Sequence, residues 1–503
     1  MRRGIARMLL AAVLLALPAR GVLAGSSVTV GDLTFVNKGL VGFGRLAADL
    51  RDKFGETFGS GSGLALDVKS WAHTVEGYEG IFYMLPDRGY NIGRTTDYRP
   101  RLNKLGVTFK PLDDAHAPGA AEQQRSLAAT LLDTILLTDA TGEPLTALDP
   151  AEGGIRPAAN GLPDMPQGAN GRIAIDAEAL VLLPDGSFFL SDEYGPYLYR
   201  FSSAGQLLGA IRPPQAFIPQ RNGHDHFSSD NPGAGLSAPQ PRSPQTGRQN
   251  NQGFEGLALT PDGKFLVAML QSATVQDGGN AAETRQYTRM LYYDISEVDR
   301  PRLVREHVVP LPVYRDVNGR PRVAAQSELL ALDENFFLLL CRDSGNGYGA
   351  DGAASVYRKV QLLDTTNASN IAASMYDDLA PVAPNGVLVA AIAPAVLTPL
   401  IDLNEEAELR KAGLHNGEPN DSSNLSEKWE GMTLAPALDP AAPRDVFLFI
   451  SNDNDFITQK GHQAGADYKD ASGVEVDTML LVYRMELPEP IMQHCSERCG
   501  GAR

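Results

Sequence analysis

The chain has 503 residues, 50 of them glycine and 34 proline, and a formal net charge of −17 at pH 7. An acidic surface repels the phosphate backbone of DNA and RNA, so this charge argues against a nucleic-acid partner and favours cations. The length alone would suggest two or more domains, whereas repeats along the chain indicate a single one.

The first 24 residues have the pattern of a secretory signal peptide. Arg2, Arg3 and Arg7 precede an apolar run over residues 8–17, and cleavage is predicted near Ala24. The apolar run is shorter than the roughly 20 residues that a membrane-spanning helix needs, and no later segment reaches that length. Removal of residues 1–24 takes away four arginines and no acid, which changes the formal charge to −21. The sequence therefore predicts a secreted or periplasmic protein with no membrane span.

One pattern repeats along the chain: a glutamate, two small or apolar residues, an apolar alternation, a turn, a second apolar run, and polar or acidic residues. It occupies residues 178–193, 255–268, 328–343 and 430–453, and a fifth copy over residues 61–89 lacks the glutamate. Short β-rich runs joined by turns such as Asp-Gly predict hairpins, and their spacing predicts an all-β propeller with long loop insertions. Because the spacing is long, we expect one blade to have lost its recognisable sequence. Six blades are predicted, with seven as the alternative.

The ring of blades is expected to close between the two ends of the mature chain. Residues 28–43 could pair with the last strand, near residues 479–485, and so remove the open sheet edges. The mature chain is therefore predicted to be one propeller domain over residues 25–488, followed by a C-terminal tail over residues 489–503. We expect it to be a monomer.

Three other segments depart from the blade pattern. Residues 404–412 are the clearest helical segment, because glutamates occupy its first part and Gly413 follows it. Residues 113–125 and 213–253 are poor in apolar periodicity, and we predict that they are surface insertions.

The three cysteines have different surroundings in the sequence. Cys341 lies in an apolar run and is predicted to be an inert core residue. Cys495 and Cys499 could close a small disulfide loop in an oxidising compartment, and the sequence leaves open whether they do.

The repeated acids are expected to meet at one mouth of the propeller. In a blade the innermost strand and the next strand are antiparallel, so the start of the first and the end of the second lie on the same face. Three hairpins have an acid at both places: Glu178 with Asp192 and Glu193, Glu328 with Asp343, and Glu430 with Asp453. A structural role for each glutamate, holding loop amides and blade register, is the alternative.

Carboxylates that crowd together raise one another's pKa, and their repulsion opposes folding unless a cation offsets it. Ca²⁺ is the simplest candidate, because it accepts about six to eight oxygen ligands, including amide carbonyls. The predicted ligands are Asp87, Glu178, Glu255, Glu328, Glu430, Asn452, Asp453 and Asp455.

Arginines provide a second source of positive charge. Arg88 and Arg342 could each pair with a carboxylate or bind a phosphate oxygen with two hydrogen bonds. With Asp192, Glu193 and Asp343 they form the predicted catalytic set. In this hypothesis the metal polarises an ester oxygen and activates water, a carboxylate acts as base, and the arginines stabilise negative charge.

Several segments together resemble the phytase-like family described as having esterase-like activity. They are Asp87-Arg88-Gly89, Ser191-Asp192-Glu193-Tyr194-Gly195-Pro196, Asn251-Gln252-Gly253-Phe254-Glu255-Gly256-Leu257, Ser327-Glu328-Leu329-Leu330, Glu430-Gly431-Met432 and Asn452-Asp453-Asn454-Asp455. The resemblance covers most of the mature chain, and it implies a secreted or periplasmic propeller that acts on phosphate esters or other esters. Propeller phytases use calcium and a set of basic residues that hold the phosphates. Here the motifs contain two arginines, with Lys428 adjacent, which places a smaller phosphodiester or a carboxylic ester beside phytate as a candidate substrate.

The leading hypothesis is an exported Ca²⁺-dependent hydrolase of phosphate esters or related esters. One alternative is a lactonase or carboxylesterase of the calcium-propeller type, in which the same acids bind the metal and the substrate is a neutral ester. The other is a propeller without catalytic activity that binds a small molecule or a protein at its mouth, because a propeller fold does not determine function.

Overall fold

The computed structural model describes residues 25–113 and 119–498. The predicted signal peptide, residues 1–24, and Cys499 of the candidate disulfide lie outside the described residues. Cys341 is a buried free thiol, as the sequence predicts. Within the described ranges, no helix is both long and apolar enough to cross a membrane.

Most of the described chain forms antiparallel strands. The long strands are β1 (Ser27–Val30), β2 (Leu33–Leu46), β3 (Gly63–Thr74), β4 (Gly77–Leu85), β5 (Arg101–Phe109), β6 (Leu127–Leu136), β9 (Ala177–Leu182), β10 (Phe188–Asp192), β11 (Leu198–Phe201), β12 (Leu207–Ile211), β15 (Phe254–Leu259), β16 (Phe265–Leu270), β17 (Tyr287–Asp294), β18 (Arg302–Pro310), β21 (Ala325–Ala331), β22 (Phe336–Arg342), β23 (Arg358–Asp364), β24 (Val396–Asp402), β25 (Lys428–Pro436), β26 (Asp445–Asp453) and β29 (Thr478–Glu486). Short two-stranded ribbons in the loops are β7 (Ile155–Arg156) with β8 (Met165–Pro166), β13 (Gln220–Arg221) with β14 (His224–Asp225), β19 (Val313–Arg315) with β20 (Pro321–Val323), and β27 (Gly461–Gln463) with β28 (Ala466–Tyr468).

Five sheets form the blades of a propeller. Blades 1 to 4 have four strands each, namely β3 to β6, β9 to β12, β15 to β18 and β21 to β24. Blade 5 has the strand order β1-β2-β29-β26-β25. The innermost strands β3, β9, β15, β21 and β25 each contact the next one around the ring, and β25 contacts β3.

The described residues thus contain five blades, and the predicted count of six is not confirmed. The long intervals between repeats are filled by loops instead of a further sheet. Between blades 1 and 2, for example, residues 137–176 form a loop segment with one short ribbon.

The strands next to the axis are apolar on both faces because each blade packs between two others. All six residues of β15 and all six of β16 are buried. One hydrophobic cluster joins blades 2 and 3, with Val181, Leu198, Leu257 and Leu266 among its members. Such strands read as continuous apolar runs, which is the pattern of sheets covered on both sides.

The ring closes as the sequence predicts. Strand β2 pairs antiparallel with β29 from Val36 opposite Glu486 to Leu46 opposite Thr478. The N-terminal part of the chain therefore supplies the outer strands of the last blade. The sheet keeps β1 as its outer edge strand, so the pairing of β2 with β29 completes the last blade without removing its outer edge.

Helix is scarce. Helix α1 (Glu406–Leu409) and a 3₁₀ turn over Arg410–Ala412 confirm the predicted helical segment, and Gly413 ends it with φ of +70°. The predicted tail contains helix α2 (Glu489–Arg498). Further 3₁₀ turns cover Gln123–Arg125, Gln215–Phe217, Val275–Asp277, Met375–Asp377 and Pro384–Gly386.

Candidate active site

Bulges in the innermost strands position the acids at one end of the propeller. In the pairing of β15 with β16, Phe254 and Gly256 oppose consecutive residues of β16, so Glu255 between them has no partner. In the pairing of β25 with β26, Trp429 and Gly431 leave Glu430 unpaired in the same way. Glu255 and Glu430 are therefore the extra, bulged residues. A bulge re-aims the side chain that it carries. An irregularity in β9 lies at Glu178 and Ala179.

The bulge in β21 places Glu328 differently from the other repeat glutamates, because Glu328 is not the bulged residue. The sequence pattern aligns Glu328 with Glu255, but the pairing of β21 with β22 makes Ser327 the bulged residue. Oε1 of Glu328 accepts hydrogen bonds from the backbone N–H of Leu329 at 2.8 Å and of Leu257 at 3.4 Å. Glu328 borders the central channel, a cavity of about 570 Å³. Its carboxyl group is thus held by strand amides, beside the channel.

A second set of equivalent positions lies where the second strand of each blade ends. The strand register makes these residues equivalent: Asp87, Glu193, Gln271, Arg342 and Asp453. Blades 5, 1 and 2, which are neighbours in the ring, supply the three acids. Negative charge is therefore concentrated on one side of the axis.

Blade 2 contributes the first acidic triad. Asp176, Glu178 and Glu193 each place a carboxylate oxygen so that the three atoms lie within 4.8 Å of one another, and all three side chains are buried. Nη1 of Arg88 is 2.9 Å from Oδ2 of Asp176, but its angle does not make a hydrogen bond, and neither Asp176 oxygen has a hydrogen-bond partner among the described residues. Burial raises the pKa of Asp176 and of Glu193 to about 7, although Arg88 lowers both. Burial and the neighbouring Glu255 raise the pKa of Glu178.

Blades 1 and 5 contribute the second acidic triad. Asp87, Asp453 and Asp455 also each place a carboxylate oxygen so that the three atoms lie within 4.8 Å of one another. Nζ of Lys428 lies 2.9 Å from Oδ2 of Asp453, 2.9 Å from Oδ1 of Asp455 and 3.5 Å from Oδ2 of Asp87. Burial, and next the charge of Asp453, raises the pKa of Asp87. This triad already surrounds an ammonium group.

Glu255 and Glu430 lie beside the triads. The side-chain amide of Gln271 donates to Glu255, and Nη2 of Arg342 donates to Oε1 of Glu430 at 2.5 Å. Oε2 of Glu430 has no hydrogen-bond partner among the described residues. The charged groups of this acidic centre are Asp87, Asp176, Glu178, Glu193, Glu255, Glu430, Asp453 and Asp455, with Arg88, Arg342 and Lys428 as the cations in contact with them. Eight carboxylates thus face three cationic side chains.

Three residues predicted as catalytic or metal-binding have their polar atoms engaged in the fold. Asp192 accepts from the backbone N–H groups of residues 176, 194 and 195. Asp343 accepts from the Ser355 hydroxyl at 2.6 Å and from the Val356 backbone N–H at 2.8 Å. The side-chain oxygen of Asn452 accepts from the Met479 backbone N–H. These contacts order the loops that carry the acidic centre.

Asp176 and Lys428 extend the predicted site. Asp176 precedes β9 and lies outside the repeat pattern, so the pattern does not find it. Its one signal is its position two residues before Glu178, since alternate residues of an extended chain point the same way. Lys428 is visible in the sequence as a cation beside Glu430, but its contact with three aspartates depends on the pairing of β25 with β26.

Residues 213–253 cover the first triad, although the sequence predicts a surface insertion there. Arg248 is fully buried and donates to the carbonyl oxygens of Tyr194 at 2.8 Å and Phe227 at 2.6 Å. The backbone N–H of Gly253 donates to Oε1 of Glu193 at 3.2 Å, and a Cβ at Gly253 would lie 2.4 Å from the Cα of Glu193. The insertion therefore packs on the acids and leaves little room above them.

The centre is most open at the second triad. The side chain of Asp455 is 35% exposed and that of Lys428 is 19% exposed, whereas those of Asp176 and Glu430 are 1% exposed. A small molecule that reaches the acids would meet Asp455 and Lys428 first.

Comparisons with known proteins agree with the sequence resemblance. A family model described as "Phytase-like: Esterase-like activity of phytase" matches residues 56–456. A relative from Arthroderma benhamiae, named "Uncharacterized secreted protein", is 39% identical over 492 residues, covering 90% of this chain and 94% of the relative.

Solved structures give weaker similarities. A luciferin-regenerating enzyme aligns with 9% identity and a TM-score of 0.26, over 89% of this chain and 96% of that chain. A gluconolactonase from Xanthomonas campestris aligns with 10% identity and a TM-score of 0.23, over 81% and 90%. Scores this low carry no functional argument. The family model and the relative, which both span most of the sequence, show that the chain belongs to the phytase-like family.

Proposed function

We propose that this protein is an exported Ca²⁺-dependent hydrolase of phosphate esters or related esters, and that Asp176, Glu178 and Glu193 hold the cation. Membership of the phytase-like family suggests a hydrolase. The predicted signal peptide and the secreted relative support export. The observation that carries the proposal is the buried first triad, in which neither oxygen of Asp176 has a hydrogen-bond partner among the described residues.

The geometry of the first triad fits a hard divalent cation. Oxygens that share one Ca²⁺ at about 2.4 Å lie at most about 5 Å apart, and the three carboxylate oxygens lie within 4.8 Å of one another. All three ligands are carboxylates, a donor set that suits Ca²⁺, Mg²⁺ or Mn²⁺ better than Zn²⁺. Three buried carboxylates beside one guanidinium are costly, so a cation would stabilise the folded chain as well as take part in the reaction.

A bound cation would polarise the ester or phosphoryl oxygen and lower the pKa of a water molecule at the site. The guanidinium of Arg88 lies 2.9 Å from Asp176, and its charge favours the ionised form of that carboxyl group. Lys428 lies at the open side, where its ammonium contacts Asp453 and Asp455 at 2.9 Å each. Asp455 is the most exposed carboxylate of the centre and is the candidate base, since burial raises its pKa to about 6 and it is ionised at neutral pH.

A lactonase or carboxylesterase acting on a neutral ester is the second candidate. Eight carboxylates face three cationic side chains, and each of those cations already contacts a carboxylate. A highly charged inositol phosphate would meet repulsion at such a site. A neutral ester or a small phosphodiester would meet much less.

Turnover of a panel of chromogenic phosphate esters, acyl esters and lactones tests both candidates. We expect one class to be hydrolysed with Ca²⁺, activity to disappear with a chelator, and Ca²⁺ to restore it. Turnover that survives chelation, or no turnover with any ester, would contradict a metal-dependent hydrolase.

Substitution of the ligands tests the site itself. The double variant Asp176→Asn, Glu193→Gln should bind Ca²⁺ more than about tenfold more weakly in calorimetric titration, because it removes two of three charged ligands. Glu152→Gln is the matched control, since Glu152 belongs to the same region of the structure but its side chain is 76% exposed. Equal affinity of the double variant and the control would place the cation elsewhere.

A further inference from the structure

We infer that Lys428 is a built-in cation that takes the place of a second metal ion at the acidic centre. The inference concerns the second triad and rests on the proposed function only for the cation at the first triad. It predicts that Lys428, when removed, leaves a divalent-cation site between blades 1 and 5.

In both triads the three carboxylate oxygens lie within 4.8 Å of one another, but the two triads differ in the cation that contacts them. In the second triad the ammonium of Lys428 contacts Asp453 and Asp455 at 2.9 Å each and Asp87 at 3.5 Å. It thus occupies the position that an ion ligated by all three would take. In the first triad the nearest cation is the guanidinium of Arg88, which contacts Asp176 from one side.

The strand pairing fixes Lys428 in this position. Lys428 lies directly opposite Asp453 in the pairing of β25 with β26. The next residue, Trp429, is fully buried, and its indole N–H donates to the carbonyl of Ser426 at 3.0 Å. The lysine stem therefore starts from a rigid part of the fold, and its ammonium is positioned before any ligand binds.

The negative charge around Lys428 exceeds what one ammonium offsets. A fourth carboxylate oxygen, Oε1 of Glu430, lies 3.7 Å from Nζ and also accepts from Nη2 of Arg342, so four carboxylates share two cationic side chains. An ammonium has three hydrogens to donate, and four carboxylates surround this one within 4 Å. Oε2 of Glu430, whose side chain is 1% exposed, has no hydrogen-bond partner among the described residues. These oxygens have the capacity to bind a charge of +2.

Calcium stoichiometry of the full chain tests the inference. Lys428→Ala should bind one more Ca²⁺ per chain than the wild type in equilibrium dialysis. Lys428→Arg keeps a positive charge and should bind the wild-type number. Lys53→Ala removes a lysine from an exposed pair with Asp133, 2.7 Å apart, and is the matched control that should also bind the wild-type number.

The outcomes separate this inference from the proposed function. If the wild type binds no Ca²⁺ and Lys428→Ala binds one, the proposed function fails and the inference stands. If the wild type binds one and Lys428→Ala binds no more, the inference is overturned and the proposed function stands.

Loss of Lys428 leaves the second triad without its cation, so the alanine variant can fail to fold when Ca²⁺ is absent. Lys428→Met retains an apolar stem of similar length and provides a second variant. For both variants, Ca²⁺ should raise the thermal unfolding midpoint by several degrees more than it does for the wild type. If neither variant folds in millimolar Ca²⁺, or if Ca²⁺ raises their midpoints no more than that of the wild type, a divalent ion does not replace the ammonium and the inference is wrong.

Discussion

Two groups of buried acids in this propeller differ in how their charge is compensated. In blade 3, Arg289 pairs with Asp277 at 2.8 Å and with Glu306 at 3.2 Å, and all three side chains are fully buried. Asp277 also accepts from the backbone N–H of Val382, and Arg289 donates to the carbonyl of Tyr376. This outer cluster ties the loop between β23 and β24 to blade 3.

The acidic centre is larger and has a higher share of acids: eight carboxylates face three cationic side chains, compared with two carboxylates and one guanidinium in the outer cluster. In the outer cluster the acids, one arginine and backbone groups hold a loop to a blade. In the acidic centre more acids are concentrated at one mouth of the propeller, where we propose a ligand. Each of the following experiments tests one side of that contrast.

Removal of the cation from the outer cluster should have the largest effect. Arg289→Met leaves Asp277 and Glu306 buried without a counter-charge, and loss of one partner from a buried ion pair costs about 3–5 kcal/mol. Urea unfolding should show that loss in the free energy of unfolding, while Ca²⁺ affinity stays within about twofold of the wild type. A loss below about 1 kcal/mol would mean that the outer cluster is not the structural tie described above.

Calcium should stabilise the acidic centre and leave the outer cluster unaffected. At a free concentration about 100 times its Kd, a ligand that binds only the folded state adds about 2.7 kcal/mol to the free energy of unfolding. The wild type and Arg289→Met should both gain this amount, and Asp176→Asn, Glu193→Gln should not. Equal stabilisation of all three proteins would show that Ca²⁺ acts away from the first triad.

The outer cluster should respond to pH through Glu306. Burial raises the pKa of Glu306 from an ordinary value of 4.5 to about 7, and Arg289 offsets only part of that shift. A carboxyl group with a raised folded-state pKa contributes its stability below the unfolded-state pKa and loses it as the pH rises through the folded-state pKa. Between pH 4.5 and 7 the wild type should therefore lose about 2 kcal/mol more than Glu306→Gln. Urea unfolding in saturating Ca²⁺ measures the difference, and parallel pH profiles would refute the assignment.

Substitution of Glu328 should have the smallest effect on Ca²⁺ affinity, because its Oε1 accepts hydrogen bonds from strand amides. Glu328→Gln keeps an oxygen that can accept from the N–H groups of Leu329 and Leu257. We expect Ca²⁺ affinity to change less than threefold, compared with more than tenfold for the double variant of the first triad. A loss of Ca²⁺ affinity as large as that of the double variant would show that Glu328 is a metal ligand, as the sequence predicts.

Much of the fold can be predicted from the sequence because its signals are local. Hairpins, the helical segment at residues 404–412 and the pairing of β2 with β29 follow from apolar runs, turn residues and chain ends. The number of blades does not follow, because a long loop and a degenerate blade give the same spacing between repeats. Loop residues such as Phe227 and Arg248 are buried, but their burial cannot be predicted because their neighbours in the sequence are polar.

The acidic centre is predictable in part. The repeated glutamates identify the end of the propeller where the acids cluster, since Glu178, Glu255 and Glu430 lie there. The shift at Glu328 is invisible in the sequence because a bulge inserts one residue without a distinctive residue type. The contacts of Asp192 and Asp343 cannot be predicted from the sequence either. An aspartate that accepts backbone hydrogen bonds and an aspartate that binds a cation are the same residue type.

The last blade contains both ends of the propeller and part of the acidic centre. Lys428, Glu430 and Asp453 lie on β25 and β26, in the sheet that β2 completes by pairing with β29. Residues 36 and 486 must meet before that sheet is whole, and they are far apart in the sequence. The first triad, where we propose the cation, comes entirely from blade 2, so a cation could bind there before the ring closes. Lys428, in contrast, contacts Asp87 of blade 1 from blade 5, so it can offset all three acids of the second triad only in a chain whose first and last blades have met.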